Sequence, residues 1–259
     1  MDDAVHLQAA AVLEEAYSSG VPVPPLVESF PGLTVEDAYA VQQVQLASRL
    51  EGGARVVGYK VGLTSAVMQA QIGVDEPDYG FVTDEMVFLE NAAVPVVRFL
   101  QPRVEPEIAF VLGRDVAGPV TVAELLGAVE YVVPALEIID SRVADWKIGL
   151  VDTVADNASS GAVVLGSRPT HLGEQDLRLA GCNLFVNGAL VGTGAGGAVL
   201  GSPLTAALWL VNTLGARGVT MRAGQVVLSG SVTASVPVAA GDTVSARIAG
   251  LGTVTTRFA

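Results

Sequence analysis

The chain has a single cysteine, Cys182, which excludes an internal disulfide and any multi-cysteine zinc or iron–sulfur site. Histidine is almost as scarce. His6 falls in an N-terminal helical stretch and His171 in a polar loop, so a Ser-His-Asp triad has no base, and no G-x-S-x-G is present. Positive charge is also short: 14 basic residues stand against 27 acidic ones, for a formal net charge of −13, with no basic run. A phosphate backbone would be repelled, so nucleic acid is not an expected partner. The same field would repel a small anion unless a metal or a local cation reversed it. Apolar runs are broken by charge or glycine within about a dozen residues, short of the ~20 that span a bilayer. The start, MDDAVHLQ, is acidic and lacks the order of a signal peptide. The expectation is a cytoplasmic protein without membrane contact. Of the 14 basic residues only Lys60 and Lys147 are lysines.

What is present is apolar residue, 51% of the 259, enough for a sizeable core. DAVHLQAAAVLEEAYS, residues 3–18, reads as a helix ended by Ser-Ser-Gly, and VPVPPL cannot continue it. Thr34 opens a second helix with Asp37 at the capping-box spacing and Gly52-Gly53 as its stop. Residues 1–53 therefore read as an N-terminal helical appendage, and 54–259 as the catalytic domain. Beyond it come short segments rich in β-branched residues: RVVGYKVGLT, EIAFVLG, EYVVPALEIID, AVVLG, NLFVNGALV, QVVLSGSV, TVSARIAG and GTVTTRF. Helices interrupt them around VAELLGAVE and at SPLTAALWLVNTLGARG, where Ser202 caps, Pro203 takes the first position and Gly218 stops. Strands and helices do not alternate regularly, which disfavours a doubly wound sheet or a (β/α)₈ barrel. The pattern predicts an α+β fold on a rolled, mostly antiparallel or mixed sheet.

The strongest local signal is VEPEIAFVL. Side chains two apart on a strand share a face, about 6.6 Å apart along the chain, so Glu105 and Glu107 converge. Glu137 sits in VVPALEII, otherwise an apolar strand, and a buried glutamate needs a partner. Three carboxylates without a nearby histidine suit a hard cation, Mg²⁺ or Mn²⁺, better than zinc. The bland reading places Glu105 and Glu107 on an exposed alternating face and pairs Glu137 with Arg142. On local grounds the two are evenly matched. Lys60, in VVGYKVGLTS, either snorkels to solvent or supplies a cation to a substrate anion. Asp78, before Tyr79-Gly80, is a turn residue or an acid/base. DSRVADWKIGLVDTVADNASSG, residues 140–161, mixes polar and apolar groups as a pocket-lining loop would. Gly192 to Gly197 fits G-x-G-x-x-G, but Pro203 follows closely and no acidic residue lies at the required distance, so a dinucleotide site is rejected.

GYKVGLTSAVMQAQIGVDEPDYGFVTDEM, QPRVEPEIAFVLGRD, PALEIIDSRVADWKIGLVDTVADNASSG, GTGAGGAVLGSPLTAALWLVNTLG and AGQVVLSGSV, in this order and spacing, resemble the 2-hydroxypenta-2,4-dienoate hydratases of the fumarylacetoacetate hydrolase superfamily. The likeness runs from about residue 34 to the C-terminus. It implies an irregular β-roll of mixed strands with flanking helices, assembled as a homo-oligomer, a pentamer or decamer, and a complex with a neighbouring pathway enzyme. It implies a metal, Mg²⁺ or Mn²⁺, held by Glu105, Glu107 and Glu137. It also implies catalytic roles for Lys60 and Asp78, and substrate contacts from Ser159, Ser160 and Ser231. The implied reaction belongs to aromatic meta-cleavage catabolism: a 2-hydroxy-2,4-dienoate is ketonised, then hydrated to a 4-hydroxy-2-oxoalkanoate. The 4-oxalocrotonate decarboxylases share the metal motif and are the nearest alternative. A C–C hydrolase of the same superfamily would need a His-Glu pair for which no histidine serves.

Overall fold

In the computed structural model, which describes residues 1–65, 69–70 and 74–259, helix α1 spans Asp3–Ser19. Residues 66–68 and 71–73, inside the GYKV block quoted above, lie outside the described residues. Asp2 starts α1 by accepting the Val5 N–H at 3.0 Å, and Gly20, at φ +71°, stops it. After a short α2 (Leu26–Ser29), α3 (Val35–Glu51) opens with the expected capping box: Thr34 accepts the Asp37 N–H, and Asp37 accepts the Thr34 N–H. The inner face of α3 is partly polar and its two glutamine amides tie it to neighbouring carbonyls. Gln42 Nε2 donates to the Tyr79 and Val154 carbonyls at 2.9 and 3.0 Å, and Gln45 Nε2 to that of Ala155 at 2.7 Å. Ala9, Leu13, Leu26 and Val41 share one apolar cluster with Ile108, Phe110 and Leu136. The N-terminal helices thus cover the same core as the strands.

Strands β1 (Val56–Gly62), β2 (Asp78–Thr83), β3 (Val87–Leu89) and β4 (Ala93–Val94) precede β5 (Arg103–Leu112), which carries the E-x-E motif. Then follow β6 (Val116–Ala117), helix α4 (Val122–Leu126), β7 (Val129–Ile139), helix α5 (Leu150–Ala155) and β8 (Ser160–Leu165). The helix expected over VAELLGAVE is only five residues long, because Gly127 ends it and β7 claims Val129 onwards. β9 (Gly181–Val186), β10 (Ala189–Ala195), helix α6 (Pro203–Ala216), β11 (Thr220–Met221) and β12 (Val226–Ser231) come next. β13 (Val236–Pro237), β14 (Thr243–Ile248) and β15 (Gly252–Phe258) complete the order. Ser202 caps α6 and Pro203 takes its first position, as read from the sequence. No helix among the described residues is long and apolar enough to cross a membrane.

The main sheet runs β2-β1-β12-β5-β7-β8-β3, with β13 beside β5. It is mixed: β1 with β12 and β3 with β8 are parallel, the other pairs antiparallel. A second sheet runs β10-β9-β14-β15-β4. Alternation sorts the main sheet's two faces. Ile108, Phe110 and Leu112 join the large core, while Ala109 joins Val82, Val133, Ala135, Val163 and Leu228 in a smaller cluster on the other face. Counting by twos along β5 and β7, Glu105, Glu107 and Glu137 continue this second face. So does Lys60, whose partner on β12 is Leu228. One end of that face is apolar; the other holds every charge described next.

Candidate active site

Register builds the site before any side chain is considered. Glu105 is the direct cross-strand partner of Glu137, and Glu107 lies opposite Ser231 of β12. The three glutamates each bring a carboxylate oxygen within 4.8 Å of the others. Glu107 and Glu137 are wholly buried and Glu105 is half-buried at a pocket wall. Glu107 Oε2 accepts the Gly230 N–H at 2.8 Å, but Glu107 Oε1 and both oxygens of Glu137 accept no hydrogen bond. Buried carboxylate oxygens left without donors are costly. Lys60 Nζ, 3.4 Å from Glu137 Oε1, forms an ion pair there and is the sole cation within 4.0 Å of the cage among the described residues. One ammonium cannot neutralise three carboxylates. Unpartnered oxygens, an all-carboxylate donor set and a surplus of negative charge fit a hard divalent cation.

Electrostatics follow from this crowding. Burial, then the charge of Glu137, pushes the Glu105 carboxyl up to about 7. Glu107 is likewise driven well above the carboxylate range, by burial and then by both neighbours. Burial lowers the Lys60 pKa, but Glu137, Asp78, Glu105 and Glu107 together outweigh it and hold the lysine charged. The bland pairing of Glu137 with Arg142 is overturned: Arg142 is buried against Asp156 and Tyr17, and clamps the two ends of the 140–160 loop together.

Gly62 of β1 shapes the other wall of the site. Gly62 lies opposite Asp78 on β2, and a Cβ there would fall 2.1 Å from Asp78 Oδ1 and 3.2 Å from Lys60 Nζ. The missing side chain leaves the room that the Asp78 carboxyl and the Lys60 ammonium occupy. Asp78 is buried, its Oδ1 has no hydrogen-bond partner, and burial raises its pKa. Lys60 Nζ also donates to the Ala158 carbonyl at 2.9 Å. That carbonyl is aimed by three successive left-handed residues, Asn157, Ala158 and Ser159, at φ +54°, +50° and +52°. Each is a strained conformation for a non-glycine residue, held here by tertiary contacts. The Asn157 amide supplies one of these, accepting the Phe81 N–H at 2.8 Å and donating to the Phe81 carbonyl at 3.0 Å.

The cage opens into a cavity of about 480 Å³ whose wall includes Lys60, Asp78, Glu105, Ser159 and Ser231. The Ser159 hydroxyl contacts that of Thr153 at 3.2 Å, and Ser231 donates to the Thr233 carbonyl at 2.6 Å. Ser160 stands apart: it is buried, outside the cavity wall, and its hydroxyl has no partner. Trp146, Ile148 and Thr153 do bring the 140–161 loop to the cavity. Lys147 points away, 71% exposed and paired with Asp145 at 3.1 Å. The residues that reading the sequence passed over are Arg103, Thr64, Gly62 and Gly230. Gly230 sits where β12 is bulged between Leu228 and Ser231, and its φ of +98° turns the N–H onto Glu107. A glycine inside a strand pattern was the one available signal.

Residues 55–259 match the family described as fumarylacetoacetate (FAA) hydrolase C-terminal. The chain belongs to the fumarylacetoacetate hydrolase family. A 2-keto-4-pentenoate hydratase from Paraburkholderia xenovorans (strain LB400) is 50% identical over 252 residues, covering 97% of this chain and 94% of that one. A 2-hydroxyhexa-2,4-dienoate hydratase from Comamonas testosteroni is 46% identical, with coverage of 95% and 94%. Among solved structures of the family, 4-oxalocrotonate decarboxylase from Pseudomonas putida G7, complexed with magnesium and adipate, superimposes with a TM-score of 0.90 at 38% identity over 97% of each chain. Fumarylpyruvate hydrolase from Pseudomonas aeruginosa shares the fold alone, at TM-score 0.62 and 17% identity over 77% of this chain and 88% of that one.

Proposed function

We propose that this chain is a hydro-lyase, dependent on Mg²⁺ or Mn²⁺, that hydrates 2-hydroxypenta-2,4-dienoate or a close 2-hydroxy-2,4-dienoate to a 4-hydroxy-2-oxoalkanoate. The observation that carries this reading is the buried carboxylate cage with unpartnered oxygens beside Lys60 and Asp78, in a chain half identical to a named hydratase. Glu105, Glu107 and Glu137 would hold the ion, which when bound supplies Lewis-acid polarisation of the substrate's carboxylate and 2-oxo oxygens. Lys60, kept charged by its neighbours, faces the negative charge that develops on the 2-oxygen as the double bonds shift. Asp78, whose pKa burial raises, is placed to move protons: in ketonisation the 2-hydroxyl gives up its proton as C5 gains one, and in hydration the water that adds at C4 gives up a proton as C3 gains one. The hydroxyls of Ser159 and Ser231, on the cavity wall, take the substrate's polar end.

Decarboxylation of a 2-oxo-3-enedioate is the second reading, favoured by the superposition on the decarboxylase. The identities, 50% to the hydratase against 38% to the decarboxylase, favour hydration. Presenting the purified, Mg²⁺-supplemented protein with enzymatically generated 2-hydroxypenta-2,4-dienoate and with 2-oxohex-3-enedioate separates them by product mass. Gain of water on the first identifies a hydratase, and CO₂ from the second a decarboxylase. A cytoplasmic homo-oligomer is the setting we propose for this activity in aromatic meta-cleavage.

A further inference from the structure

β2 carries Asp78 and stands at the end of the main sheet, paired with β1 alone among the described residues. An edge strand leaves a row of main-chain groups unpaired, yet all six residues of β2 are buried. Side chains close that edge in place of a strand. Asn157 serves Phe81, as described above, and Gln42 of α3 serves Tyr79. Gln42 also reaches further. Its Nε2 gives one hydrogen to the Tyr79 carbonyl at 2.9 Å and the other to the Val154 carbonyl at 3.0 Å, so one buried amide bridges β2 and α5. Tyr79 follows Asp78 directly. Val154 lies between Thr153 of the cavity wall and the 157–159 turn, which offers the Ala158 carbonyl and the Ser159 hydroxyl. Gln42 Oε1 is buried and accepts nothing. Turning the amide over would set that oxygen against two carbonyls, so the network fixes its orientation, and the contribution of the residue lies in its two donors. One turn earlier on α3, Tyr39 stacks on Tyr79 with ring centres 4.5 Å apart and planes 18° from parallel. Arg217, at the end of α6, covers the stack 4.5 Å from the Tyr39 ring centre. The residue after Asp78 is thus gripped by α3 at its main chain and at its ring. α3 lies outside residues 55–259, the segment that matches the family.

We propose that Gln42 is a positioning residue, a tether that sets the separation between Asp78 and the wall formed by Thr153, Ala158 and Ser159. α3 is then a working part of the active site rather than an appendage to it. The inference rests on the reading that Asp78 moves protons in the reaction. With the tether cut, the Asn157 amide is left as the hydrogen-bonded link between the β2 and 154–159 segments among the described residues. The cage on β5 and β7, to which Gln42 makes no hydrogen bond, keeps its metal.

Gln42→Met keeps the shape and removes both donors. The kcat of this variant, on whichever of the two substrates named above the wild type turns over, should fall about 10- to 100-fold, the size that follows from displacing a reacting group by about 1 Å. KM should stay within about threefold, and calorimetry should find unchanged Mg²⁺ affinity and stoichiometry. Gln42→Asn, which keeps the donors on a shorter reach, should recover one link at most and fall between. Hydrogen exchange read by mass spectrometry should rise together over 78–83 and 154–159 in Gln42→Met, with β5 and β7 still protected. Leu13→Ala, which loosens α1 from the apolar cluster it shares with α3, is the control. It should lower Tm at least as far, without the loss of kcat and without raising exchange in those two windows above the rest. A kcat for Gln42→Met within about threefold of wild type would overturn the proposal, as would unchanged exchange in both windows. Loss of kcat in step with Mg²⁺ stoichiometry, or an equal loss in Leu13→Ala, would make Gln42 a packing residue and overturn it too. A wild type inert on both substrates would instead sink the functional reading, and the exchange result would still decide the tether.

Discussion

Replacing Lys60 by methionine separates chemistry from cage-holding, because the two roles predict opposite effects on metal. The ammonium stands 3.4 Å from Glu137 Oε1. At an effective dielectric constant of ~20, that pair is worth about 5 kcal/mol of gross Coulomb attraction. A divalent ion in the cage competes with Lys60 for the same oxygen and is repelled by its charge. Lys60→Met should therefore leave Mg²⁺ affinity unchanged or tighter. The Ala158 carbonyl, which now accepts from Nζ at 2.9 Å, loses its donor, at a cost to stability of about 1–3 kcal/mol. Turnover should respond differently. If Lys60 faces the charge that develops on the substrate, kcat should fall by roughly 10² to 10³ and stay low at saturating Mg²⁺. Lys60→Arg should not rescue it fully, since the planar fork does not fit the ammonium's place between Asp78 and Glu137. Lys147→Met is the control, because that side chain is 71% exposed. The assay is steady-state kinetics across a Mg²⁺ titration, with metal affinity measured separately by calorimetry. A kcat within tenfold of wild type, or a loss fully reversed by excess metal, would refute the catalytic role.

Chelation with EDTA should abolish turnover and Mg²⁺ or Mn²⁺ should restore it; Glu107→Gln should cost more metal affinity than the ~10- to 100-fold typical of losing an outer partner, as read by calorimetry. Metal at ~100 times its dissociation constant should add about 2.7 kcal/mol, or about 5–10 °C in Tm, and a melting curve indifferent to metal would contradict the cage. Without metal, the raised carboxyl of Glu105, about 7 against 4.5, makes stability greatest below pH 4.5. That stability is lost as pH rises through 7; a metal-free Tm that climbs over this range would count against it. Gly230→Ala should place a Cβ 2.4 Å from Thr64 Oγ1 at a φ of +98°, swing the N–H off Glu107, and lower Mg²⁺ affinity about 10- to 100-fold in the same titration.

Periodicity alone put Glu105 and Glu107 on one face, because a strand's alternation is local. That Glu137 stands directly across from Glu105 is a matter of register between β5 and β7, which no local pattern contains. The same limit explains Arg142: its partner Asp156 is 14 residues away and becomes its neighbour only when the loop closes. Ser159 and Ser160 look equivalent as a pair of serines. The chain leaves a left-handed φ of +52° at Ser159 for an extended Ser160, so their side chains diverge and only the first reaches the cavity. Arg103 escaped notice because a charge at a strand's first residue reads as solvated. The capping box of α3 and the Ser202-Pro203 start of α6 were legible in full, since helix ends depend on residues a few positions apart.

The bond between Lys60 and the Ala158 carbonyl lies in the main chain, so a scan that truncates side chains one by one would pass over position 158 without a signal. Its vulnerability is conformational. At φ +50° the residue tolerates glycine or asparagine far better than valine or proline. A β-branched substitution would turn the carbonyl away while removing no functional group at all. Libraries built to retune this enzyme should therefore treat 157–159 as backbone to be preserved, and direct their diversity to the cavity wall at Ile139, Trp146 and Ile148.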